Sequence, residues 1–527
     1  MVRRAILAFL VTFAVYLPSA RFSLVRCDDP DYIVANGHLR GGLTVENVRW
    51  AFCDGIQADN WHPFTWLSLM ADVSVDLVRR GGRPHQDGEW KRLDSPLAHV
   101  MHVHNVALHA ANAVLLFALI LVACRRQLGA DWALALALLW ALHPLRVEAV
   151  CWVTERKELL SAFFGLLSAL FWFQGSSRTG YFLSLAAFAL GLLSKSVVVT
   201  LPVVLLAWDW IFGGRIRVLR LVPFAALSLG ACAMTVKAQA VALASGGALP
   251  LSARLATTLC GPVVYLRQTF WPFGLSACYP ATWRVDVVPL ASGVGLLVAM
   301  AWTCVRWLRR RERLAGLAAF AVAWTYVGLL PMLGIVKAGG DEHCDRFTYW
   351  IGCGAAVCAA LFLRELASRR EWLWTRLGGA WAKTPWLQVR RGLLCGAACA
   401  VVLLGGVTWA RIPYWRDSAT LFRDAVAKSW IIDWAEVLAL GLQEDYGEAG
   451  AKEGERWLRA CAVRQPSRAA DLALASFLLS RPRSSGWDGS MDFAEEETLL
   501  RGVLAAEPDN AKAKRLLEKI DGMKRTD

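Results

Sequence analysis

Eleven mostly apolar stretches, most of them near the length of one bilayer crossing, punctuate the first four-fifths of this chain. They run over 5–21, 99–122, 131–149, 158–174, 181–199, 200–214, 220–236, 289–307, 314–333, 347–366 and 392–410. A helix needs about 20 such residues to cross the hydrocarbon core. Lipid offers no hydrogen bonds to the backbone, so a chain of this kind must fold as a bundle of helices that satisfy themselves. The bulk numbers agree: of 527 residues 56% are apolar and 19% charged, and the mean hydropathy is +0.40. These values exclude disorder, collagen and a small disulfide scaffold, and they argue against a soluble enzyme. Twenty-six tryptophans suit the membrane–water boundary, where the ring stays dry and the N–H wet. A twelfth stretch, 254–271, carries Arg254, Pro262 and Arg267 and reads as interfacial or re-entrant.

The net charge of +14 is explained by topology. With the N-terminus in the cytoplasm and 5–21 an uncleaved span, the basic residues fall in alternate loops: Arg125–Arg126, Arg178, Arg215 to Arg220, Arg306 to Arg313, and the run from Arg364 to Arg391. Such loops stay cytoplasmic. This accounts for the positive charge without nucleic acid. It places loop 22–98, loop 146–158, the Lys195 region, loop 334–346 and everything after 411 on the outer side.

The outer loops hold the polar residues a membrane bundle should not tolerate by chance. Asp28, Asp29 and Asp31 stand within four residues directly after the first span. Like charges in a helix-bundle mouth raise one another's pKa and suit general-base work or metal binding. Thr44 is placed to cap a helix, and Pro63 opens another with Trp66, Leu67, Met70, Val73 and Leu77 on one stripe; both should lie along the interface. Seven ionisable residues crowd the 16 positions from His143 to Glu158, among them Arg146, Glu148, Glu155, Arg156 and Lys157. They read either as a set of mutual salt bridges or as a cationic pocket for a phosphate at headgroup depth. Lys195 either snorkels outward or completes that pocket. His343, Asp345 and Arg346 follow in a later outer loop. His102, His104 and His109 lack the spacing and partners of a tight zinc site and read as polar packing. Cys27 and Cys53 share an outer loop and can pair in an oxidising compartment.

Several of these stretches occur in an order that resembles a known family. They are Asp28-Asp29; Asn60 to Ser68, which includes His62; His143 to Glu148 with Trp152 to Lys157; Leu192 to Lys195 with Leu201-Pro202; Leu330 to Ile335 with Asp345 to Tyr349; and Tyr414 to Ser418 with Leu421-Phe422. Together, over roughly residues 1–430, they resemble the bacterial membrane proteins with tetratricopeptide (TPR) repeats related to the eukaryotic transmembrane-and-TPR O-mannosyltransferases, in the GT-C class of glycosyltransferases. The resemblance implies an all-α polytopic bundle in the bacterial inner (plasma) membrane. It implies transfer of a hexose such as mannose from a polyprenyl-phosphate carrier to an outer-side hydroxyl, protein Ser/Thr or a glycan, with inversion. On this reading Asp28 and Asp29 are the catalytic pair, and Arg156, Lys157, Lys195 and Arg346 bind the donor phosphate. His143, Glu148, His62, His343 and Asp345 support them. No cofactor is required, and a divalent metal at Asp28 and Asp29 is compatible. Membrane lipids are expected partners and nucleic acid is not.

The expected organisation is a transmembrane domain over 1–410, a connector over 411–430 and a small TPR-like helical domain over 431–527. TPR units repeat every 34 residues and need stacked neighbours. Here Pro466 and Pro508 mark only two degenerate fragments. Two other readings stay open: a transporter or flippase of lipid-linked sugars, which would use the same groove, and a non-enzymatic membrane scaffold for the tail.

Overall fold

A computed structural model describes residues 1–90, 92–175, 177–240, 251–277, 279, 287–333, 343–369, 386–480 and 493–526. Asp341 and Glu342 of the later outer loop lie outside the described residues, as do Gly334 and Ile335. The chain divides into two units: residues 1–275 with 281–416, and residues 276–280 with 417–527. The division after Arg416 falls inside the stretch read as a connector. Apart from a hairpin of two short strands, Ile56–Gln57 and Asn60–Trp61, the described residues outside turns and loops are helical.

Among the described residues, eight helices are long and apolar enough to cross a membrane: Val2–Arg21, Pro96–Ala123, Ser196–Gly213, Val218–Ala238, Pro289–Arg310, Arg313–Met332, Asp345–Ser368 and Gln388–Trp415. Each falls on an apolar stretch of the sequence. The other three stretches are helical but differ in kind. Stretch 131–149 is two helices, Ala130–Ala141 and Pro144–Cys151, meeting at 59°. Pro144 lacks an N–H and pushes the residue before it out of the helical region; His143 is accordingly extended (φ −79°, ψ 134°). The helix Arg156–Phe173 opens with three ionisable residues. The helix Arg178–Ser194 has 17 residues. Stretch 254–271 lies in one continuous helix, Leu251–Phe270, with Pro262 inside it.

The long loop over 22–98 is a packed structure. Thr44 caps the helix Val45–Cys53 by accepting from the Asn47 N–H at 3.1 Å. The helix Pro63–Arg79 buries Trp66, Leu69, Met70 and Val73, while Leu67 and Leu77 are half-buried. These side chains form one core with Tyr32, Ile33, Leu39, Leu97, Met101 and Val153. Each large apolar side chain so buried contributes about 1.5–3 kcal/mol. The loop is thereby clamped onto the start of helix Pro96–Ala123 and onto the turn at Val153. No disulfide joins Cys27 to Cys53.

In the second unit, Ser418–Ser429, Ile432–Arg464, Arg468–Ser480, Ala494–Ala506 and Ala511–Thr526 follow one another, each packed on the next. The 33-residue member is two helices, because Gly447 adopts φ 59°, ψ −134° and breaks it. The two halves approach closely: a Cβ on Gly454 would lie 2.7–3.0 Å from Ala439. Leu479, Phe493, Leu500, Val503 and Ile520 form part of its core.

Candidate functional site

Between the two apolar helices Ala130–Ala141 and Arg156–Phe173 the chain makes three short helical turns, Pro144–Arg146, Val147–Cys151 and Val153–Glu155. The last of these ends at Glu155, just before the second helix begins. Glu155 and Lys157 share one cluster, while Arg156 between them enters another.

Glu155 is the hub of the first. Its carboxylate lies 3.3 Å from Lys157 Nζ, 3.1 Å from Lys195 Nζ and 3.4 Å from Arg346 Nε. Burial alone would raise its pKa, but Lys157, Lys195 and Arg346 together hold it well below the usual carboxylate range. Lys195 also lies 2.8 Å from Glu158. Arg346 pairs with Glu148 through its guanidinium and through its own backbone N–H at 3.1 Å. Lys157 reaches Asp28 at 3.3 Å. Aromatic rings line the cluster: Lys157 stands over Tyr32 at 4.5 Å, and Arg346 over Trp152 at 5.1 Å. Among these partners Asp28 is the open one, with its side chain 47% exposed against 16% for Lys195, 12% for Arg346 and 6% for Lys157.

Asp29 is placed differently from its neighbour. It is 1% exposed. One oxygen accepts from the Val25 N–H at 2.8 Å; the other accepts from the Thr154 N–H at 3.0 Å and from the Thr154 hydroxyl. Burial pushes its carboxyl up to about 6 against the pull of those hydrogen bonds. It ties the start of loop 22–98 to the turn before Glu155.

Arg156 enters a second, closed cluster. It is fully buried. Its Nε donates to Asn105, one terminal nitrogen to Ser68 at 3.0 Å, and the other to Asp72 at 2.9 Å and to the Met101 carbonyl at 2.6 Å. Asp72 also accepts from His104. Arg156 thus joins helices Pro63–Arg79 and Pro96–Ala123 to its own, away from the Glu155 hub. Of the four residues expected to hold one phosphate, the structure brings Lys157, Lys195 and Arg346 together and puts Arg156 elsewhere.

The supporting residues also divide. Glu148 orients Arg346. Asp345 is buried at the start of the 3₁₀ turn Asp345–Phe347, next to it in sequence. His62 is buried, hydrogen-bonded to Asn60 at 3.2 Å, and driven down to about 3 by burial and by Lys157 and Lys195, so it is neutral at pH 7. His143 bonds to the Thr269 carbonyl at 2.9 Å and pins the bend to helix Leu251–Phe270. His343 is half-buried. The three histidines near the second span go to three partners: Ser23, Asp72 and Tyr349. Among the described residues no group of three or more His, Cys, Asp or Glu is placed to hold a metal ion. The donor chemistry does not suit one at Asp28 and Asp29 either: Asp29 is filled by N–H and O–H donors, and Asp28 faces an ammonium.

Tyr32, Asp72 and Asn105 do not stand out in the sequence as site residues, Trp152 enters only through the resemblance, and Glu155 reads there only as a salt-bridge partner or a member of the charged run. Polar residues inside apolar stretches were the available signal for Asp72 and Asn105. No protein-family model, curated protein or solved structure matches the chain. Chemically, the hub sets three cations among the carboxylates of Glu148, Glu155, Glu158 and Asp28, of which Asp28 faces solvent.

Proposed function

We propose that this chain is a membrane glycosyltransferase that moves a hexose from a polyprenyl-phosphate carrier to an acceptor hydroxyl on the outer side. The observation that carries the reading is the convergence of Lys157, Lys195 and Arg346 on one point, beside the exposed carboxylate of Asp28. These cations come from three segments separated by 38 and 151 positions. In the reaction the acceptor oxygen attacks the anomeric carbon with inversion. The bond from that carbon to the phosphate oxygen breaks, and its electron pair leaves with the carrier phosphate. Asp28 takes the hydroxyl proton as general base. Lys157, Lys195 and Arg346 stabilise the charge that grows on the phosphate, with Glu148, Glu155 and Glu158 holding them in place. Arg156 and Asp29 have positioning roles, because their hydrogen bonds are directed to other parts of the chain.

The finer architecture belongs to the same proposal. Eleven spans, an N-terminus in the cytoplasm and a TPR-like second unit on the outer side of the plasma membrane are supported by the helical state of all eleven stretches, by the basic loops and by the sequential helix pairs after Asp417. Reporter fusions after Lys428 should be active only as outer-side reporters; cytoplasmic activity there overturns the orientation and the site with it.

A second reading has its own observation: every cation of the hub already has a carboxylate partner, as in a purely structural ion network. Purified protein supplied with a polyprenyl-phosphate hexose and an acceptor peptide, read by mass spectrometry, separates the two. The transferase reading expects product with the natural chain and none with Asp28→Asn. The structural reading expects no product from either, and the Asp28→Asn chain as well folded as the natural one.

A further inference from the structure

Helix Arg156–Phe173 begins at the Glu155 hub and ends, about 25 Å away at 1.5 Å per residue, beside two adjoining cavities of 1020 and 790 Å³. Nothing in the transfer reaction uses them. Six arginines line the larger one: Arg125, Arg126, Arg311, Arg313, Arg364 and Arg390. The carboxylate among its lining residues is Glu365. It is already engaged by Arg369 at 2.7 Å and more distantly by Arg313 at 3.8 Å. Arg125 and Arg364 donate to main-chain carbonyls, of Phe212 and Ala123, and neither pairs with a carboxylate among the described residues. Trp132, Trp208 and Trp307 complete the walls.

Basic loops on one side of a membrane protein normally spread toward the headgroups. Here four segments distant in sequence bring their arginines to the lining of one open cavity, where like charges repel. The backbone adds to this. Six described non-glycine residues have left-handed backbones, and three of them are arginines of this cavity: Arg125 (φ 48°), Arg126 (φ 59°) and Arg311 (φ 53°). Arg125 and Arg126 close the helix Pro96–Ala123 with bonds from their N–H groups to Val122 at 2.9 Å and Leu121 at 2.8 Å. That is the cap in which glycine is favoured, because an L-residue there crowds its Cβ. Arginine stands where glycine would be less strained.

We propose that this cavity binds the phosphate of an anionic membrane lipid, the arginines forking onto its oxygens and the tryptophans flanking its glycerol and upper acyl region. The chemistry recognised is a phosphate oxyanion, whose other source is free inorganic phosphate. The proposal does not depend on the glycosyl-transfer reading.

The test is native mass spectrometry of the full-length chain, delipidated in detergent and titrated with phosphatidylglycerol, phosphatidylcholine or inorganic phosphate. One phosphatidylglycerol should bind in preference to phosphatidylcholine, whose choline cation the arginines repel. The double variant Arg125→Gln/Arg126→Gln should weaken it by about tenfold for each charged hydrogen bond lost. The double variant Arg309→Gln/Arg310→Gln removes the same charge from the same end, outside the cavity lining, and should change affinity less than threefold. Arg125→Gly should also weaken binding while its lipid-free Tm stays level or rises, which separates a lost contact from a lost fold. Displacement of the lipid by millimolar phosphate with the same variant dependence assigns the site to the free anion; resistance to displacement assigns it to the lipid. Equal weakening in both double variants, equal affinity for the two lipids, or a lowered Tm with intact binding in Arg125→Gly overturns the proposal.

Discussion

The Glu155 hub and the Arg156 cluster begin at adjacent residues, and they differ in what they leave open. Around Arg156 nearly every donor has a partner within the protein, the guanidinium is fully buried, and three helices meet on it. Around Glu155 three cations are held by carboxylates but keep an edge toward solvent, and Asp28 stands half exposed beside Lys157. Both are dense in charge. One is closed within its own fold, and the other reaches solvent at Asp28. On the proposed reading, a charged residue of the bundle points to function only where some of its surface is reachable.

The same contrast separates Asp28 from Asp29, and this pair gives the largest expected effect. Asp28→Asn should lower transfer by about 10²–10⁴ with a normal yield of folded protein, as loss of a general base does. Asp29→Asn should instead lower folded yield, because the clamp on Val25 and Thr154 is disturbed. Turnover per folded molecule for both variants checks this, and equal turnover losses would erase the distinction.

Breaking the closed cluster comes next. Arg156→Ala strands a buried Asp72 carboxylate and should cost about 3–5 kcal/mol of stability. Chemical unfolding in detergent measures it. A stable variant that has lost only activity would return Arg156 to the donor site.

Arg346→Lys keeps the charge but loses the fork that reaches Glu148 and Glu155 together. It should cost about one charged hydrogen bond, or roughly tenfold in kcat, with folded yield and donor KM little changed. A KM effect alone would place Arg346 on the ground-state donor instead.

The last test is a pH slope. The folded-state pKa of Asp29, near 6, lies above its ordinary value of 3.8. The native state therefore keeps a proton that the unfolded chain releases, and stability falls as pH rises from about 4 to about 6. Asp29→Asn lacks that group. Unfolding midpoints at pH 4, 5 and 6 should show the natural chain losing ground to the variant; a constant gap would mean Asp29 is not held as described.

Much of this was legible from residues alone. Hydropathy located every apolar helix, because helix length in lipid is set by bilayer thickness and backbone satisfaction. Thr44 was readable as a cap, because capping is local. Arg156, Lys157, Lys195 and Arg346 read together as candidates for one phosphate at headgroup depth, and the last three of these do meet around Glu155. The bend at His143 was not read from the stretch 131–149, although Pro144 was visible, because apolar composition alone does not report a break in direction.

The sequence by itself determined the all-helical class, the apolar helices and the charged turns between them, since each depends on properties of a dozen or two consecutive residues. Only the tertiary structure decided which charges meet. Glu155, Arg156 and Lys157 are consecutive, and a short 3₁₀ turn leading into a helix leaves Glu155 and Lys157 in one cluster and sends Arg156 to another. Those partners come from up to about 190 positions away: Asp28, Asp72, Lys195 and Arg346. Composition cannot foresee that pairing, because it depends on the packing of whole helices and on which donors that packing leaves filled.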